Sequence, residues 1–175
     1  MKNISRILFL SAALLVGTTA FVSCSDDDDD FPKKGEIESL TGTYSGSLGA
    51  TVAVPGSSTV DCNIDGTYEV IVETEPKEND EVVVVLPSCS YTTSQMQTAQ
   101  TIPAITVREV EVDREGHDAQ TYYIEEDDFT VAVDGVTYTG QLHGIIRGSS
   151  INLTYSLTPG SMPMPINFTF NGTKN

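Results

Sequence analysis

The sequence predicts an all-β fold, an antiparallel up-and-down β-barrel of about eight strands. From Thr41 onward, apolar and polar residues alternate with period two, and no helical period persists over a useful length. The joints between these runs carry hairpin chemistry, Asp134-Gly135 and Gly148-Ser149 among them. About eight to ten amphipathic strands cannot remain one open sheet, because its apolar face would lie in water. Short hairpins between long consecutive strands favour a barrel over a sandwich with crossing connections.

The first run, TGTYSGSLGATVAV at residues 41–54, puts Tyr44, Leu48, Ala50 and Val52 on one parity, with Gly42 and Gly46. Threonine and serine dominate the other, so a long strand bent at its glycines is expected. Shorter strands are expected at 60–64, 67–73, 81–86, 102–112 and 120–125. TEPKEND and QTAQTIP read as loops. The apolar parity switches between Val107 and Val110, which predicts a bulge. A meander of four strands, 129–133, 136–147, 151–158 and 165–173, completes the reading. A membrane-spanning barrel would turn its apolar face to lipid between aromatic girdles. Seven tyrosines and no tryptophan argue against that arrangement.

The N-terminus reads as an address. Residues 1–23 resemble a lipoprotein signal peptide, with Lys2 and Arg6 ahead of the apolar run ILFLSAALLV. That run is shorter than the ~20 residues a spanning helix needs. AFVSC resembles a lipobox, with Phe21 where leucine is usual, which makes Cys24 the expected lipidation site, a carrier of palmitate-type acyl chains. Two or more acyl chains anchor stably where one binds only marginally. Residues 24–39 are expected to form an acidic disordered tether, since five consecutive aspartates repel one another and stay solvated. CSDDDDD also resembles the export signal of surface lipoproteins. The expected location is therefore the outer membrane, lipid-anchored and exposed at the cell surface, with the periplasmic face as the alternative. Residues 40–175 would form the barrel domain.

Without Lys2 and Arg6, seven basic residues face twenty-five acidic ones, a net charge of about −18. Such a surface disfavours nucleic acid and anionic headgroups, so the only expected membrane contact is the lipid anchor. Beside Cys24, the chain carries Cys62 and Cys89, an even pair that is open to a disulfide or to two buried thiols.

LTGTYSGSL, VDGVTYTGQLHGIIRGSSINLTYSL and INFTFNGTKN together resemble the calycin-like β-barrel lipoproteins of Gram-negative bacteria, relatives in shape of the lipocalins. Gly42-Thr43-Tyr44 stands where a lipocalin carries Gly-x-Trp, and the chain has no tryptophan. The resemblance implies a calycin-like barrel and a small secreted protein.

Catalytic and metal-binding patterns fare poorly. The two histidines, His117 and His143, have no partner at metal-ligand spacing, and His143 falls on the outward parity. Asp113, Glu115 and Asp118 in EVDREGHD offer oxygen ligands but miss the EF-hand pattern, and a solvated turn is expected. Within EEDD, at 125–128, only alternate residues share a strand face, so an acidic rim is expected rather than a glycosidase pair. No enzyme activity, cofactor or metal is expected. The inward parity gathers Tyr44, Leu48, Tyr138, Leu142, Tyr155, Phe168 and Phe170 beside glycines that would leave room at a barrel mouth. They form the candidate ligand-binding interior for a small apolar or amphipathic ligand. The alternative is a protein-interaction module using acidic loops.

Overall fold

The computed structural model describes residues 32, 34–54, 56, 58–76, 80–114, 120–160, 162 and 164–175. The signal segment, Cys24, the five aspartates and the turn with Glu115, His117 and Asp118 lie outside them. A short helix, α1 (Lys34–Leu40), precedes eleven strands. They are β1 (Gly42–Val52), β2 (Val60–Asp61), β3 (Tyr68–Thr74), β4 (Glu81–Leu86), β5 (Cys89–Tyr91), β6 (Gln100–Ile102), β7 (Ile105–Arg114), β8 (Thr121–Val133), β9 (Val136–Arg147), β10 (Ser150–Pro159) and β11 (Ile166–Lys174).

Eight of these close into an antiparallel barrel in the order β1-β3-β4-β7-β8-β9-β10-β11, with β11 returning to β1. The closing ladder runs from Tyr44 opposite Lys174 to Val52 opposite Ile166. Closure removes the exposed edges that a meander would otherwise present. The inward parity of β9 to β11 is buried, from Tyr138, Leu142 and Ile146 through Leu153 and Tyr155 to Phe168 and Phe170. Threonine, serine, asparagine and glutamine occupy most outward positions of these strands.

Both mouths are plugged. At one end, α1 buries Ile37 and Leu40, residues three apart on one helical face. Tyr44 Oη of β1 donates to Leu40 O at 2.7 Å, and Lys174 Nζ of β11 donates to Ser39 O at 2.8 Å. Arg114 of β7 pairs with Glu36 at 3.3 Å. Residues 34–39 were expected in the solvated tether. Instead they are part of the domain, because Ile37 and Leu40 offer an apolar face that the open mouth can cover. At the other end, the β5–β6 hairpin, missed in the sequence, contributes buried Cys89, Tyr91 and Ile102 to the same core. A pair of backbone hydrogen bonds between Asn63 and Thr92 ties it to the chain beyond β2.

A further departure concerns β8. The expected strands 120–125 and 129–133 are one strand of thirteen residues, whose register against β9 shifts between Glu126 and Phe129. The EEDD carboxylates therefore ride on a bulged strand and do not interrupt it. The bulge expected near Val107 is present, with a register shift opposite Val82–Val84 and Glu109 at a left-handed φ of 59°. Asp134 and Gly135 have φ of 51° and 79°, the two left-handed residues of a type I′ turn. Gly135→Ala is expected to lower stability by about 1 kcal/mol in a urea titration, since only glycine adopts that φ without steric cost.

Candidate functional site

The sequence pointed to the lumen, and the structure brings all seven named side chains together there. Tyr44, Leu142 and Phe170 are 0% exposed, and the most exposed of the seven, Leu48, reaches only 6%. Tyr155 and Phe168 face each other across the β10–β11 ladder with stacked rings, centroids 4.7 Å apart. Burial pushes the hydroxyl pKa of Tyr44 and Tyr155 up, so both stay protonated well above neutral pH.

The glycines do not open space beside these rings. A Cβ on Gly140 would lie 2.8 Å from the Phe129 ring, and one on Gly172 would lie 2.6 Å from the Phe170 ring. On Gly144 it would meet Leu153 Cδ1 at 2.8 Å. Each glycine is thus a seat for a neighbouring large side chain. Such seats bend the strands and fill the barrel at once.

Cys62 and Cys89 are free thiols, so the structure carries the reduced alternative. Burial, then the neighbouring Cys62, pushes the Cys89 thiol up to about 11 from an ordinary value near 9. A disulfide forms through attack by a thiolate, the species this environment suppresses. At pH 8 only about 0.1% of Cys89 would be thiolate, so iodoacetamide is expected to label half-buried Cys62 first, as read by intact-protein mass spectrometry. The folded pKa lies above the unfolded one. Cys89 therefore contributes stability below pH 9 that is lost as pH rises through about 11.

His143 stands on the outer surface, as its parity predicts. Its Nδ1 lies 3.8 Å from Glu125 and its Nε2 3.5 Å from Asp127, all three well exposed. Among the described residues, no group of three or more His, Cys, Asp or Glu is gathered for a metal ion.

One outer concavity was not legible in the sequence. The β7–β8 ladder covers only Glu111–Arg114 against Tyr122–Glu125. Beyond it, residues 105–110 of β7 and 126–133 of β8 part around a cleft of about 640 Å³. Each strand carries a bulge at this point, and bulges bend and twist a strand away from its partner. The floor is Phe129, and the walls carry Glu109, Glu126 and Asp128. Arg108, the cation of this wall, is held by the buried Glu75 carboxylate at 3.6 Å.

Comparison with known proteins places the fold. The model of the calycin-like beta-barrel domain matches residues 40–173. The chain belongs to the calycin-like β-barrel domain family. Among solved members of this general shape, a candidate outer membrane protein of Bacteroides fragilis NCTC 9343 superimposes with a TM-score of 0.57 at 24% identity. The match covers 79% of this chain and 52% of the other, so the calycin-like chain spans about half of that protein's length. The M. tuberculosis protein Rv2717c aligns over 83% of this chain and 99% of its own, at 11% identity and a TM-score of 0.37. A likeness that low carries no argument. No curated protein matches the chain.

Proposed function

We propose that this calycin-like domain is a non-catalytic, lipid-anchored module of the outer membrane surface that binds a protein partner through its acidic exterior. The filled lumen carries this reading. A ligand carrier of the barrel-mouth kind needs a cavity of several hundred Å³, whereas the seven inward candidates are all within 6% of complete burial. A concavity of that size lies outside, between β7 and β8.

The anchor part of the proposal rests on the N-terminal sequence, with AFVSC ahead of Cys24 and an acidic run after it. The outer-membrane description of the Bacteroides fragilis neighbour is in keeping with it. The chain enters the barrel through α1, so an anchor upstream would hold the α1 mouth toward the membrane. The β5–β6 mouth and the open end of the β7–β8 cleft would then face outward.

Two measurements test this. Mass spectrometry of the mature N-terminus is expected to find acyl groups on Cys24, and Cys24→Ser is expected to release the protein from membranes. Recovery of an unacylated first residue would remove the anchor. Crosslinking on intact cells is expected to capture a protein whose association weakens with salt, because exposed charge attraction is screened. Native mass spectrometry showing a small molecule retained stoichiometrically would restore the ligand-carrier reading instead.

A further inference from the structure

The β7–β8 cleft separates two strands that share a ladder at their other ends. In an antiparallel ladder, the residues of hydrogen-bonded pairs turn both peptide groups to one neighbour, and the intervening residues turn theirs to the other. The type I′ turn makes Val133 and Val136 a hydrogen-bonded pair, and the same phase recurs at Val131–Tyr138 and Phe129–Gly140. Thr130 and Ala132 therefore present N–H and C=O away from β9, into the cleft. On the opposite wall, Glu75 N donates to Glu81 O, which fixes the phase of β3–β4. Counting on, Val84 and Leu86 serve Val107 and Ile105, and Thr106 is left facing β8.

Two strand edges of the barrel thus face each other with unladdered peptide groups. We propose that the cleft takes an extended segment of a protein partner, carrying lysine or arginine at alternate positions, as an inserted strand. An extended backbone offers donors and acceptors on both of its sides, which is what two facing edges require and what a compact ligand does not supply. The alternate basic residues follow from the walls. Glu109, Glu126 and Asp128 are exposed or half-exposed carboxylates, and Arg108, the cation among them, already serves Glu75. The parity that sends one set of side chains over Phe129 sends the next set out to these carboxylates. The proposal rests on the reading of the exterior as the binding face, and it names the chemistry of the partner.

The probe is a nine-residue peptide alternating lysine and valine, blocked at both ends, offered to the full chain. Two control peptides carry N-methylated valines or glutamate in place of lysine. The lysine peptide is expected to bind and to slow amide exchange at Thr130 and Ala132 at least tenfold, whereas both controls lose roughly tenfold or more in affinity. Ala132→Pro removes one edge donor without touching the β9 ladder, and is expected to weaken binding about three- to tenfold. Asp128→Lys on the exposed wall should do likewise with an unchanged melting temperature, which keeps the test decisive if the proline variant folds poorly. Equal binding of the N-methylated peptide, or no slowed exchange at Thr130 and Ala132, would overturn strand insertion. A partner crosslinked on cells equally well by both variants would also overturn it while leaving the exterior-binding reading intact. Slowed exchange with the probe but no cellular partner would do the reverse.

Discussion

Phe168→Ala is expected to cost the barrel about 4 kcal/mol, within the usual range for deleting a buried aromatic ring. Phe168 sits at the centre of the inward layer, opposite Ala50 on β1 and Tyr155 on β10, and is 2% exposed. Its loss removes the apolar burial and the stacked contact with Tyr155, and leaves a void that rigid strand ladders close only in part. Guanidinium unfolding followed by near-ultraviolet circular dichroism checks the magnitude. The same variant tests the filled-lumen premise. Truncation should create a dry site for a small aromatic such as benzene, as engineered apolar cavities do, while the wild type takes up none. A wild-type barrel that already binds benzene would contradict the packing described above.

The second large effect is at Gly46, where alanine is expected to cost about 3 kcal/mol or more, beyond most overpacking substitutions. Gly46 lies opposite Gly172 in the closing ladder, and a Cβ would fall 1.9 Å from Asn171 O and 2.5 Å from Gly172 Cα. Those are backbone atoms, so no rotamer change relieves the contact. Relief requires β1 and β11 to separate, which would loosen the ladder that returns the last strand to the first. Gly49→Ala supplies the internal control, since its nearest neighbour is 4.0 Å away, and should cost well under half as much. Thermal or urea midpoints of the pair give the comparison directly. Similar losses at both positions would mean that glycine's role here is conformational and not steric.

These two sites show what the alternation of side chains could and could not convey. Tyr155 and Phe168 were assigned inward from period two alone, because a one-residue slip would have put every apolar group of their strands in water. That pattern carries the all-β class, the closure and the identity of the inner face. It does not carry volume. Whether Gly140 leaves space or seats the Phe129 ring depends on strand coiling, which no residue announces by itself. The cleft escaped for a related reason. It arises where bulges on β7 and β8 coincide, and only the first left a trace in the sequence, as the parity break before Val110. The helix α1 was hidden by its setting. Two apolar residues in seven cannot outweigh an acidic stretch until the mouth they cover is known. The cysteines pose a further limit, since count and spacing fix neither redox state nor the burial that raises the Cys89 pKa.

Asn175 N donates to Thr43 O, so residue 175 and the residues just before β1 emerge at the same pole of the barrel. A fluorescent tag appended after Asn175 would therefore share its pole with whatever precedes α1, and would crowd any surface on which the protein stands. An epitope spliced at Asp134-Gly135 would sit at the opposite pole. Under the proposed surface anchoring, it would be the better reporter in antibody staining of unbroken cells.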